Sequence, residues 1–182
     1  LQRVRATGKA LLTFEPVQRS GERFRRSFAG HRLIFEFDEQ GRIASVFGRG
    51  GVTLTLTPMQ AISNKTEKRV SARRLESRFA NETGELLFAK LFPGAHFEQD
   101  EFEGTADMAI VDFQSEKVTL LKEPRLWDSQ TSMEANTIVI DMASGDTRGS
   151  GDVRTMAIQH GTDHAIFPGD DGSGEEPVYF VA

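Results

Sequence analysis

Cysteine is absent from the 182 residues, which excludes disulfide bonds, thiol catalysis and thiolate-held metal but identifies no compartment. Tryptophan and tyrosine occur once each against 14 phenylalanines, so the aromatic share is almost wholly apolar. No apolar run approaches the roughly 20 residues that span a bilayer, and no secretory leader is visible. A basic excess is missing too. Lys and Arg number 22 against 27 Asp and Glu, a net charge of -5, which argues against a nucleic-acid partner. Nor is there a helix with a clear cap and an apolar stripe. Residues 60–79 admit a short one at Ala61, Ile62 and Lys65, but Ala72 and Leu75 fit a strand better.

What is present is a repeating strand phrase. The run from Ala29, AGHRLIFEFDEQGRIASVFGRGGVTLTL, lies over the run from Ala72, ARRLESRFANETGELLFAKLFPGAHFE. Gly41 then falls on Gly84, Ile43 on Leu86, Gly51 on Gly94, Val52 on Ala95 and Leu54 on Phe97. Each unit is an up-and-back pair of strands, which cannot bury its apolar face alone and must stack on neighbours. Less regular copies open at Ala106 and Ala135, and Gly8 to Phe14 reads as the closing half of a further unit. The start at Leu1 and the end after VYFV read as the limits of a piece of a longer chain.

Alternation supports strands throughout. Leu33, Phe35 and Phe37 alternate with Ile34 and Glu36. Val52, Leu54 and Leu56 alternate with threonines, and Ile138 and Ile140 share one face. Turn signals recur at Asp38-Glu39-Gln40-Gly41, Asn81-Glu82-Thr83-Gly84, Pro93-Gly94 and Ser144-Gly145-Asp146. The 17 glycines suit so many turns. Residues 58–70 read as a charged loop, and residues 161–177 as a flexible loop rich in Gly, Pro and acids. The fold class expected is all-β: a single domain, residues 1–182, with antiparallel strands in a sandwich, barrel or roll.

Catalytic and metal patterns are weak. His160 and His164 lie near Asp163, Asp170 and Asp171, but Gly161 and Thr162 intervene in the loop, so a solvated acidic segment is the expectation. The acids from Glu98 to Glu103 read as a surface turn, and no Ser-His-Asp set has a recognisable setting. No catalytic residue, metal ligand or cofactor is assigned, and an enzyme is not expected.

From Gly104 to Met156 the order is Ala106-Asp107, Val118-Thr119-Leu120, Glu123-Pro124-Arg125-Leu126-Trp127, Glu134-Ala135-Asn136-Thr137-Ile138 and Gly149-Ser150-Gly151-Asp152-Val153. This pattern resembles the OstA-like proteins of lipopolysaccharide transport, over about residues 29–156. One departure is Lys122-Glu123-Pro124, where a glycine before the proline is common in that family. The resemblance implies a β-jelly roll folded like a taco shell, a periplasmic location, acyl chains of lipopolysaccharide held in the interior, and end-to-end joining of OstA-like domains, including a homo-oligomer, through edge strands.

Leu33, Phe35, Phe37, Ile43, Val52, Leu54, Leu56, Leu86, Phe88, Phe97, Leu120, Ile138, Ile140 and Val153 have the type and alternation to line such a groove. They suit a closed core equally well, which would make the chain a structural or docking module. Phosphorylated sugars would meet cations at the mouth, for which Arg25, Arg26, Arg69 and Arg73 are the candidates, with Arg23, Lys68 and Arg74 beside them.

Overall fold

The computed structural model describes residues 2–14, 24–59, 66–159 and 176–181. All regular structure among them is strand, and every pairing is antiparallel. The strands are β1 (Gln2–Phe14), β2 (Phe24–Phe37), β3 (Ile43–Pro58), β4 (Lys68–Phe79), β5 (Leu86–Phe92), β6 (Ala95–Gln99), β7 (Phe102–Ala106), β8 (Met108–Asp112), β9 (Lys117–Leu121), β10 (Arg125–Trp127), β11 (Thr131–Glu134), β12 (Thr137–Asp141), β13 (Thr147–Ser150), β14 (Arg154–Gln159) and β15 (Glu176–Val181). The segment proposed to admit a helix is instead strand β4 from Lys68 onward, so the charged loop after Pro58 ends earlier than residue 70.

One crease organises the sheet. Along the β4 edge away from β3, Lys68 to Ser71 pair with β6, and Arg74 to Phe79 pair with β5. The earlier ladders break at the same level: between Thr7 and Ala10, Gly30 and Arg32, and Arg49 and Val52. An extra residue in one strand bends it and sharpens its twist, so aligned breaks fold the whole sheet. Later in the chain the crease passes through the short links between β7 and β8, β9 and β10, β11 and β12, and β13 and β14.

Two walls result. The first contains residues 2–7, 32–37, 43–49 and 74–79 of the long strands, followed by β5, β8, β9, β12 and β13. The second contains residues 10–14, 24–30, 52–58 and 68–72, followed by β6, β7, β10, β11, β14 and β15. Backbone hydrogen bonds continue across the bend. Arg73 N–H donates to the Pro93 carbonyl (3.3 Å), Gly94 to Asp107 (3.0 Å) and Asp107 to Lys122 (3.1 Å). Amide groups buried in a bend without partners would destabilise it, so this ladder is what makes the crease tenable.

The repeat has a direct structural counterpart. Gly41 and Gly84 both sit in turns at the far end of the first wall, whereas Gly51 and Gly94 both sit in the crease. Gly51 has φ 78° and Gly94 φ 69°, the left-handed region in which a side chain is strained. This corrects the reading of Pro93-Gly94 as a chain reversal. β5 and β6 run on in the same direction along one edge of β4, so the pair bends the chain between walls without turning it back. The run from Gly8 to Phe14 carries the same bend glycine: Gly8, with φ 96°, lies as far before Gly51 as Gly51 lies before Gly94. That run is the second-wall part of β1, which begins at Gln2.

The core lies between the walls. Cross-strand partners share a face, and the register lines up Phe35, Val46, Ser77, Ala89, Val111, Val118 and Ile140 on the inside of the first wall. Phe28, Leu54, Val70, Phe97, Gly104, Leu126 and Met133 do the same in the second. The walls touch where Gly104 faces Leu120: a Cβ added at Gly104 would stand 2.9 Å from a Leu126 methyl and 3.2 Å from a Leu120 methyl. The residues of 161–175, within the proposed flexible loop, lie outside the described set.

Candidate functional site

The inner faces of the two walls form the candidate site. Leu33, Phe35, Val52, Leu54, Leu56, Leu86, Phe97, Leu120, Ile138 and Ile140 are buried there. Phe37, Ile43 and Val153 are half-buried and pack against that core. These side chains belong to one apolar cluster of buried and half-buried residues between the walls.

Phe88 is placed differently. The ladder shifts between Arg78 and Phe79, leaving Leu87 as the extra residue. Phe88 therefore stands opposite Arg78 and Asp112, on the outer face, while Ala89 and Leu91 point inwards. A one-residue slip moves every following side chain to the other face, and that is why simple alternation misplaces it.

The cations do not converge. Arg25 is exposed on the outer face opposite Thr57, and Arg73 is exposed in the crease. Arg69, also outside, forms ion pairs with Glu67 (2.8 Å) and Glu98 (3.2 Å). Among the described candidates only Arg26 and Lys68 have inward register, in the row Phe14, Arg26, Leu56, Lys68 at the rim of the second wall. Lys68 is just 3% exposed, and its ammonium lies 5.5 Å from the Phe24 ring centroid. The Arg26 guanidinium reaches across the mouth to the Phe113 ring of the first wall, 4.4 Å from its centroid. Such contacts set a cation over each aromatic face. Arg23, His160 and His164 lie outside the described residues.

Aromatic groups close the rim beside these cations. Phe14 of the second wall meets Phe79 of the first at 5.1 Å and its own neighbour Phe28 at 5.7 Å, the latter edge-on. Phe14, Phe79 and Phe113 were not among the sequence candidates. The parity of Leu12 and Phe14 within β1 is the signal that reveals Phe14. Phe113 carries none, since its contact depends on the walls meeting.

The remaining polar chemistry is structural. Among the described residues no three His, Asp or Glu side chains could share a metal ion. Glu98, Gln99, Phe102 and Glu103 belong to a hairpin whose tip is Asp100 and Glu101, as a surface turn requires. Glu36 is held below the usual carboxylate range by hydrogen bonds from Arg3 and Ser45. Outside the interior, a cleft of about 610 Å³ includes Thr105, Glu123, Arg125, Glu134 and Arg154 in its lining, with Arg125 and Glu134 3.7 Å apart. With Asp152 the lining holds three carboxylates and two guanidiniums, so its charges largely offset one another.

Neither a family model nor a curated protein matches the sequence. Among solved structures, the chain is similar to LptH from Pseudomonas aeruginosa, the LptA-homologous periplasmic component of a lipopolysaccharide transport device. Identity is 10%, the TM-score is 0.53, and the match covers 86% of this chain and 93% of that one. At that identity the likeness is one of fold, and the shared fold is the creased antiparallel jelly roll that the OstA-like resemblance implied.

Proposed function

We propose that this chain, as one domain, is a non-enzymatic carrier of lipopolysaccharide or a similar amphiphile, working in the periplasm on the route to the outer membrane. The observation that carries the reading is the continuous apolar inner face of two walls hinged at one crease, with Arg26 and Lys68 at its rim. Similarity of fold to a periplasmic transport component supports the same reading. Each acyl methylene moved out of water contributes about 0.8 kcal/mol, so a few chains between the walls would be held firmly. Entry requires the walls to part along the rim, where the contacts are the aromatic ones described above. The cations would then meet the phosphates. The edges of β1, β13 and β15, which pair with no further strand among the described residues, suit docking of further OstA-like domains, or copies of this chain, by strand addition.

A second reading has the burial of the inward side chains in its favour: a structural or docking module with a filled core. Photoreactive phenylalanine analogues at Phe14 and Phe97, illuminated with lipopolysaccharide, separate the two. Carriage gives lipid adducts at both positions and none at outward Thr55. Absence of adducts at 14 and 97 in a folded protein overturns it in favour of the docking module. The pair Arg26→Gln and Lys68→Gln is expected to lower the adduct yield for lipopolysaccharide more than for its dephosphorylated form.

A further inference from the structure

Outside the first wall lies a feature that carriage does not use. Arg32, Arg49 and Arg74 come from three neighbouring strands and stand directly opposite one another, Arg32 on Arg49 and Arg49 on Arg74. All three are exposed. Strands are spaced about 4.8 Å apart, so the three backbones fall within about 10 Å. Like charges directly opposite destabilise a sheet. Some arginines of this chain are neutralised, Arg3 by Glu36, Arg42 by Asp38 and Arg69 by Glu67 and Glu98, but exposed Arg5, Arg78, Arg148 and Arg154 stand singly, without a second arginine directly opposite. Among the described residues no carboxylate forms an ion pair with Arg32, Arg49 or Arg74.

The surroundings give the row a chemical character. Arg73 adds a fourth exposed guanidinium in the crease, next to the side-chain-free positions Gly51 and Gly94, where a Cβ would meet nothing within 4 Å. Arg74 is paired with Phe92, and half-buried Met108 and Leu121 continue the same outer face. Guanidinium forks match phosphate oxygens in pairs, and apolar groups in the same plane suit the boundary between headgroups and acyl chains. A chain of net charge -5 has no general attraction to anions, so a concentrated basic row has to act locally.

We propose that the row Arg32–Arg49–Arg74 is a docking face for the anionic phosphate surface of a lipid bilayer. This is independent of what the interior holds. The test is flotation of the full chain with vesicles of 30:70 phosphatidylglycerol and phosphatidylcholine, against pure phosphatidylcholine, at low and high salt. The expected result is partitioning onto the anionic vesicles alone, suppressed by salt. Replacing Arg32, Arg49 and Arg74 together with Gln is expected to weaken partitioning on the order of a hundredfold. The same replacement relieves repulsion, so the melting temperature is expected to hold or rise, which separates lost docking from lost fold. Arg78→Gln, Lys117→Gln and Arg148→Gln remove equal charge elsewhere and are expected to leave partitioning intact. The proposal is overturned by equal loss in that control, by binding to neutral vesicles, by no binding at all, or by capture of polyglutamate in place of vesicles, which would assign the row to an acidic protein.

Discussion

Phe14 of the second wall lies against Phe79 of the first, ring centroids 5.1 Å apart and planes tilted by 40°. The pair joins the first strand of the chain to the fourth across the mouth of the fold. With Arg26 on Phe113 beside it, it makes the rim a set of contacts between walls rather than within one. These contacts must part for the walls to separate along the rim.

That geometry predicts a two-part outcome for Phe14→Ala. Stability to urea should fall by about 2 kcal/mol, less than for a fully enclosed phenylalanine because Phe14 is only half-buried. Binding of a hydrophobic dye should rise at the same time, since the inner face becomes reachable. A loss of stability with no gain in dye binding would mean that the pair contributes to packing but does not guard the opening.

The slip within β5 is tested by a comparison of neighbours. Leu91 is fully buried on the inner face, whereas Phe88 is half-buried on the outer one. Leu91→Ala is expected to cost 2–5 kcal/mol, roughly the range for large-to-small changes in packed cores. Phe88→Ala is expected to cost about 1 kcal/mol despite removing more atoms. Equal costs would place Phe88 back inside and cancel the register shift.

Much of this architecture was legible from residues alone because strand alternation is a strict period. Leu33, Phe35 and Phe37, the Val52 to Leu56 run, and Ile138 with Ile140 all face as their alternation requires. The repeat was legible as well, since Gly51 and Gly94 occupy the same bend. A positive φ serves a chain reversal and a crease equally, so Pro93-Gly94 looked like a turn. Phe88 was misplaced because a bulge leaves no mark in the alternation before it. The arginine row was invisible for another reason: residues 32, 49 and 74 become neighbours only once the register of three strands is fixed.

Acid should unfold the protein through its turns. Asp141 accepts N–H groups from Ser144 and Ala143, and Asp38 from Arg42 and Gln40; these bonds hold both carboxyls below their ordinary range. Burial pushes Asp112 and Asp128 up, but the N–H groups of Ser115 and Gln114, and of Gln130 and Thr131, outweigh it and leave both lowered. A carboxyl with a lowered folded value stabilises above its unfolded value, 3.8 for Asp, and loses that contribution as pH falls through the folded one. The melting temperature should therefore be level from pH 7 to about 5 and decline below about 4. Replacing Asp112, Asp128 and Asp141 with Asn should lower it at pH 7 and flatten the acid decline, so that the two curves converge. Parallel curves would show that these carboxylates are not the acid-sensitive groups.

The crease carries its own test at Glu123. Lys122 and Glu123 have φ of 63° and 57°, a left-handed pair immediately before Pro124 in the link between β9 and β10. Side chains other than glycine are strained there by about 1–2 kcal/mol each. The Lys122-Glu123 pair therefore keeps the bend and accepts the strain. Removing the Glu123 side chain relieves that strain but gives the unfolded chain more freedom, which offsets about 0.4–1 kcal/mol. Glu123→Gly is accordingly expected to raise stability by about 0.5–1 kcal/mol, read from the urea midpoint at constant slope. Glu123→Val should lower it, because branching at Cβ tolerates this region least. If glycine destabilises and valine does not, the link between β9 and β10 does not adopt a left-handed bend, and the walls must be joined there in some other way.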